Sequence, residues 1–262
     1  MEIGMIDRLT AEPQESFGRL VLDIETAPLT QVGLEIEQSI VKPSGNFRDT
    51  TDKKTGEVLT AESKKQAQIE MKRAKVPNDD GKLDSNPIGC IGVEADGELF
   101  HFSTFTFSQE EHAKFSKVGV TLITGGDEAD MLKKFRKWCE NENSELTRTL
   151  SWNGCGFDLR HIRMAYARNH ISIPSIFAPY ARNWHVDLQK VYCEKFTVNN
   201  AFKLFTSLPT ACKVLKIHFD GKEIMTGADV PGAIAAEDFF RVTKYNLKDV
   251  IATSQVGELM GF

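Results

Sequence analysis

Residues 19–24, Arg-Leu-Val-Leu-Asp-Ile, form a short, β-branched apolar run. The run predicts a buried strand with its polar residues at the downstream end, stopped by Pro28. Two further runs, 88–94 (IGCIGVE) and 98–105 (ELFHFSTF), flank Ala95-Asp96-Gly97, a hairpin signal. Residues 127–141 follow the helical period, with Met131, Leu132, Phe135 and Trp138 on one side and acids at the start. A strand is predicted over 146–152. A helix follows over 158–169, with Leu159, Ile162, Arg163 and Tyr166 at helical spacing. A short strand is expected over 184–188, a helix over 207–216 opened by Ser-Leu-Pro, and one or two helices over 237–259. Strands separated by helices, with a central hairpin, predict an α/β fold: a mixed sheet covered by helices.

Residues 36–87 break this rhythm. They are polar and rich in basic residues: Lys53, Lys54, Lys64, Lys65, Lys72, Arg73 and Lys75. Ala61 to Ala74 holds good helix formers and few apolar residues, which predicts a solvated helix. Pro77-Asn78-Asp79-Asp80-Gly81 closes it with turn chemistry. The stretch has too few large apolar side chains for a core of its own. The expectation is a single domain over residues 1–262 with an insertion at about 36–87. The basic residues at 53–75 read equally well as a guide for a polyanion and as a solvated face.

Composition narrows the class. At 262 residues the chain is long enough for a full core. Its 41% hydrophobic and 26% charged content is that of an ordinary soluble protein. No run approaches the roughly 20 apolar residues that span a bilayer, and the N-terminus lacks a signal-peptide layout. Five scattered cysteines without CxxC spacing argue against a disulfide framework and a zinc site, so a cytoplasmic location is expected. The net charge of −5 excludes binding of nucleic acid by bulk electrostatics and leaves only local basic patches for it.

Three motifs carry the candidate chemistry: Leu22-Asp23-Ile24-Glu25-Thr26, Trp152-Asn153-Gly154-Cys155-Gly156-Phe157-Asp158 and Tyr245-Asn246-Leu247-Lys248-Asp249. Asp23 and Glu25 alternate onto one face of a strand, where two carboxylates can share a hard cation. Asp158 falls at a helix start, after Gly154 and Gly156, which allow a tight turn. There it reads as a metal ligand or as a cap. Tyr245 and Asp249 lie four residues apart and share a helix face. Each motif alone is common; their order is not.

Together they resemble the three exonuclease motifs of the DEDDy 3′–5′ exonucleases, a branch of the DnaQ-like, ribonuclease H-fold superfamily. The proofreading exonuclease domain of family-B DNA polymerases is the nearest likeness. Ser207-Leu208 followed by Val214-Leu215-Lys216-Ile217 looks like that family's SL…LxI helix, and Lys222 and Gly227 fall where such sequences often carry a Lys and a Gly. The likeness runs from about residue 19 to about 256. It implies a ribonuclease H-like mixed sheet flanked by helices and two divalent cations, Mg²⁺ or Mn²⁺. By resemblance Asp23, Glu25, Asp158 and Asp249 hold the metals. Asp23 bridges both, Glu25 and Asp249 complete one site, and Asp158 acts largely through water. Tyr245 helps position the attacking water. Lys244 precedes Tyr245, so no His stands five residues before Asp249, which argues against the sister branch with a His general base.

The resemblance implies in-line hydrolysis from the 3′ end of single-stranded DNA or frayed ends, releasing nucleoside 5′-monophosphates. Backbone amides at Thr26 and Ala27 are the expected contacts of the terminal 3′ hydroxyl. Asn153 is a candidate phosphate contact, and Phe157 and Trp152 are candidates for stacking, with core packing the better reading of both. His185 and Asp187 look like a familiar strand of the family, with Asp187 structural. The rival enzyme reading is an exoribonuclease acting on RNA 3′ ends, and the rival of another class is a nuclease-fold binding module without turnover. The chain ends soon after the third motif, so no polymerase module is expected; the reading is a stand-alone exonuclease or a subunit that acts in trans, with a polymerase or other replication or repair protein as a candidate partner. No membrane partner is expected.

Overall fold

Apolar side chains on alternate positions of the first strand serve two different cores, one on each side of a single sheet. The computed structural model describes residues 18–28, 30, 34, 37–38, 41–51, 58–75, 85–142, 148–178, 185–196, 206–220 and 224–262. In chain order these form β1 (Arg19–Thr26), β2 (Thr50–Thr51), β3 (Val58–Leu59), α1 (Ala61–Lys75), β4 (Ile88–Ala95) and β5 (Glu98–Ser103). Next come α2 (Gln109–Lys117), β6 (Val120–Thr124), α3 (Glu128–Glu142), β7 (Arg148–Ser151), α4 (Asp158–Arg168) and β8 (His185–Asp187). The chain then forms α5 (Leu188–Phe196), α6 (Leu208–Leu215), α7 (Val230–Ala235) and α8 (Phe239–Leu259). The six-stranded sheet runs β6-β5-β4-β1-β7-β8. The β1, β4 and β5 strands pair antiparallel, whereas β6, β7 and β8 join in parallel. This is the ribonuclease H-like arrangement, with an added parallel strand at one edge.

Leu20, Leu22 and Ile24 point to one side of β1 and pack with Phe102 of β5, Met131, Leu132 and Phe135 of α3, and Leu159, Ile162 and Tyr166 of α4. Val21, Asp23 and Glu25 point to the other side, which α8 covers. There Val21 joins Leu150, Leu188, Val250 and Val256 in a second core. The length of α8 lets one helix cross the whole site-bearing face of the sheet.

The predicted strands and helices are present with ends shifted by a few residues. Asp96 and Gly97 both take positive φ, 49° and 87°, as the hairpin signal requires. Strand β5 ends at Ser103, because Thr104 turns to donate its amide to the Gly89 carbonyl. The 184–188 strand is His185–Asp187, with Leu188 already helical and Trp184 outside the described residues. The C-terminal region is one long helix after the short α7, divided where Glu237 takes a φ of 59°.

Six elements were not anticipated: β2, β3, α2, β6, α5 and α7. For α2 the signal was present. Ser108 and Glu111 form a reciprocal capping box, the Ser-x-x-Glu signature of a helix start. Within the insertion, α1 buries none of its residues. Its basic side chains serve as struts: the Lys64 ammonium donates to the Arg48 carbonyl and Thr50 hydroxyl, Lys72 to the Lys42 carbonyl and Ser44 hydroxyl, and Arg73 to the Gln38 carbonyl. Polar ties thus stand in for the absent core. Lys53, Lys54 and the Pro77–Gly81 turn lie outside the described residues, as does Lys222. No helix among the described residues is long and apolar enough to cross a membrane.

Candidate active site

Parallel pairing of β1 with β7 stops at Val21 and Leu150, so the downstream half of β1 has one open edge. After Ser151 the chain leaves the sheet, turns, and enters α4. Asp158, the first residue of α4, swings its carboxylate onto that edge and accepts the Ile24 amide at 3.1 Å. One carboxylate thereby replaces a missing strand and is fixed at the residue between Asp23 and Glu25. The cap position belongs to Phe157, which makes no side-chain capping bond, so Asp158 is not an N-cap.

Asp249 arrives from the opposite direction, on α8. One carboxylate oxygen each from Asp23, Glu25 and Asp249 lies within 4.8 Å of the others. Asp158 is buried beside this trio and raises the pKa values of Asp23 and Glu25 electrostatically. Burial, reinforced by the neighbouring carboxylates, pushes Asp23 and Glu25 well above the usual carboxylate range. Burial likewise lifts Asp158 to about 7, although hydrogen bonds from the Ile24 amide and its own amide pull it down. Among the described residues no ammonium or guanidinium pairs with Asp23, Glu25 or Asp158. Clustered carboxylates without a cationic side chain are a donor set suited to hard divalent cations.

Tyr245 stands one helical turn before Asp249. Its hydroxyl hydrogen-bonds the Asp249 carboxylate, and burial with the surrounding acids raises its pKa far above the ordinary phenol value. It is therefore a phenol at any working pH. A Cβ at Gly227 would lie 3.9 Å from that hydroxyl, which places the turn before α7 beside Tyr245.

Sequence reasoning gave no role to Asn246. The structure buries it completely between α8 and the sheet, where its amide donates to the Asp23 carbonyl at 3.2 Å and the Asp23 carboxylate at 2.8 Å. This approach is possible because β4 carries Gly92 directly opposite Asp23: a Cβ there would meet the Asn246 oxygen at 2.2 Å. A glycine inside a strand is a signal of close approach, and Gly92 was legible as such.

The second motif works differently from the expectation. Positive φ falls on Asn153 (64°), not on Gly154 or Gly156. Gly154 is required for space, since a Cβ would lie 1.7 Å from the Ser151 hydroxyl oxygen. Asp187 accepts the Asn153 and Cys155 amides at 3.1 and 3.3 Å and so holds the turn from below. Its part is structural, as read from the sequence. His185 bridges Thr149 and Ser151 at 3.0 Å each, and burial lowers its pKa to about 4. Gly154→Ala is expected to cost about 1–3 kcal/mol by overpacking and to displace Asp158. Thermal denaturation together with a cleavage assay checks both.

Of the expected substrate contacts, the Ala27 amide is already committed: it donates to the Pro87 carbonyl at 2.7 Å. The Asn86 side chain caps the Ala27 carbonyl, and Arg168 holds Asn86 in turn. Ala27 is thereby held by the fold through both its amide and its carbonyl. Thr26 is buried where the register slips between Glu25 and Thr26. Phe157 packs against the first core and the His161 ring, 4.3 Å away, and Trp152 packs against the second core and Tyr192. Packing accounts for both rings.

A ribonuclease H-like sheet with carboxylates gathered at the end of its central strand defines the class to which this chain belongs. Residues 101–256 match the family model described as "Predicted 3'-5' exonuclease related to the exonuclease domain of PolB", and the chain belongs to that family. The match takes in Asp158, Tyr245 and Asp249, and the fold brings Asp23 and Glu25 to them from outside it. A search of curated proteins finds no match.

Proposed function

We propose that the protein is a metal-dependent 3′–5′ exonuclease that removes nucleotides from the 3′ ends of single-stranded DNA, including frayed or mismatched ends. The observation that carries the reading is the convergence of three carboxylates within 4.8 Å, beside a fourth that is buried, with no cationic side chain among the described residues paired to Asp23, Glu25 or Asp158. Asp23, Glu25, Asp158 and Asp249 would hold two divalent cations, Mg²⁺ or Mn²⁺. Such ions would supply charge neutralisation of the phosphate and acidification of water.

The chain's own groups do the rest. Tyr245 spends its proton on Asp249, so its oxygen presents lone pairs to the cleft and accepts a hydrogen bond from the attacking water. That bond turns the water's own lone pair toward phosphorus. Being a phenol, Tyr245 orients the water and does not deprotonate it. Asn246 keeps Asp23 from rotating, and the Ile24 amide does the same for Asp158. Asn246→Ala is expected to lower metal affinity or kcat/KM about 10–100-fold, as loss of a partner that orients a metal ligand does. Titration of activity with Mn²⁺ would show the loss, partly recovered at high metal.

The deciding experiment incubates 5′-labelled single-stranded DNA, duplex DNA with a mismatched 3′ end, and RNA with Mg²⁺ or Mn²⁺. A ladder shortening from the 3′ end, fastest on single-stranded DNA, is the expected result. A faster ladder on RNA moves the substrate class to RNA. Internal cuts, or tight binding without cleavage, overturn the exonuclease reading.

A further inference from the structure

Helix α8 turns a second set of side chains to solvent. Lys244 and Lys248 follow each other at one turn and lie about 100° round the helix from Tyr245 and Asp249. They overlook a groove between α8, α2 and the β5–β6 edge of the sheet, with a volume of about 520 Å³. This is within the roughly 300–1,000 Å³ of sites that enclose small ligands or anchoring side chains. Leu99 and Val120 form its floor, and Phe115 and Phe240 its walls. Val118 stands on its lip, 68% exposed. The charged residues lining the groove are all lysines: Lys114, Lys117, Lys244 and Lys248. Lys114 pairs with Glu110 and Lys248 with Asp220, whereas Lys117 and Lys244 have no ion pair among the described residues. In a chain of net charge −5, four ammonium groups around one apolar groove are a local reversal of sign.

We propose that this groove docks a short acidic segment of a partner protein, seated by bulky apolar side chains, and so tethers the protein to that partner. The apolar floor matches an aliphatic or aromatic anchor, and desolvation there supplies affinity. The lysine rim matches carboxylates flanking the anchor and speeds encounter. Nucleic acid fits less well. Its bases need open aromatic faces, but Phe115 is 5% exposed and the Phe240 ring is covered by the Lys114 ammonium, 5.6 Å from its centre. A docked segment would occupy a face of α8 that leaves Tyr245 and Asp249 open, so docking and cleavage are compatible.

The test uses the full chain without added metal and a fluorescein-labelled peptide, Gly-Asp-Asp-Leu-Asp-Phe-Leu-Asp-Asp-Gly, followed by anisotropy. Saturable binding is expected, weakening about tenfold as salt rises from about 50 to about 300 mM. Lys117→Glu and Val118→Glu should each weaken it about tenfold, while cleavage of a short oligonucleotide stays within about twofold of wild type. Circular dichroism verifies their folding, and Lys117→Gln gives a milder loss if Lys117→Glu is unstable. Binding is read without turnover, so it stands or falls separately from the nuclease reading. The proposal is overturned by absence of saturable binding. Equal binding of a peptide with every Asp changed to Asn, or with Leu and Phe changed to Ser, also overturns it. So does displacement of the peptide by a single-stranded oligonucleotide, which makes the groove a nucleic-acid track. A self-association in sedimentation that Val118→Glu abolishes would assign the groove to a second copy of this chain instead.

Discussion

Asp23→Asn is expected to remove exonuclease activity by at least about 10²–10³-fold, and yet to raise the melting temperature of the metal-free protein at neutral pH. Both effects have one cause. Asp23 shares a cleft with Glu25, Asp158 and Asp249, and burial and their mutual repulsion push its pKa up. Asparagine keeps the shape and removes the repulsion, but it also removes a ligand that bound cations would need. Asp187→Asn provides the contrast. That carboxylate accepts two amides of the 153–155 turn and lies near the Lys190 ammonium, so its loss leaves buried donors poorly satisfied. It should destabilise by about 1–3 kcal/mol. Single-turnover cleavage of labelled single-stranded DNA and calorimetry in chelator measure the pair. If Asp23→Asn retained activity within tenfold of wild type, or melted as early as Asp187→Asn, Asp23 would be a structural acid and the site assignment would fall.

The contrast between those aspartates shows how far the sequence could be read. Residues in regular elements were legible because their periodicity is local: the alternation of Asp23 with Glu25, the i, i+4 spacing of Tyr245 with Asp249, and the hairpin at Asp96-Gly97 all appear as drawn. What the sequence hid depends on contacts across the chain. Asp158 serves as a strand substitute for Ile24 only because β7 is shorter than β1. Asn246 matters because Gly92, far away in sequence, leaves room for it. The Ala27 amide is engaged by Pro87, a contact made across some sixty residues of chain. The strand β6, Val-Thr-Leu-Ile-Thr, carried the β-branched signal of a strand and was passed over; it lies at the sheet edge, held by parallel pairing with β5. Turn chemistry fell between these cases: the glycines of the second motif were noticed, but their reason is crowding, by Ser151 at Gly154 and by Asn153 at Gly156, not backbone conformation.

Divalent cations are expected to stabilise the folded protein far more at pH 8 than at pH 5.5. Asp158 titrates near 7 in the folded protein, and Asp23 and Glu25 well above their ordinary values. Below the ordinary carboxylate pKa, about 4, both folded and unfolded chains hold these protons. As pH rises, the unfolded chain releases them first, so the metal-free fold loses stability until the folded pKa values are passed. Two buried histidines oppose this trend at lower pH. His185 and His101, lowered to about 4 and about 3, are neutral in the fold while the unfolded chain still protonates them, which adds stability as pH rises toward about 6.5. Above that value the histidines are silent, and the carboxylates set a downward slope, to which the buried thiols of Cys90, Cys139 and Cys212 add near pH 8. Cations reverse it by binding ionised carboxylates in the folded state only. Metal at a hundredfold excess over Kd adds about 2.7 kcal/mol, worth roughly 5–10 °C in a chain of this size. At pH 5.5 the ions must first displace protons, and the gain shrinks. Scanning calorimetry with Mg²⁺ or Mn²⁺ at the two pH values measures the difference. An equal gain at both, or one that survives in Asp23→Asn, would place the cations elsewhere on the protein and leave the acid cluster without its proposed ligand.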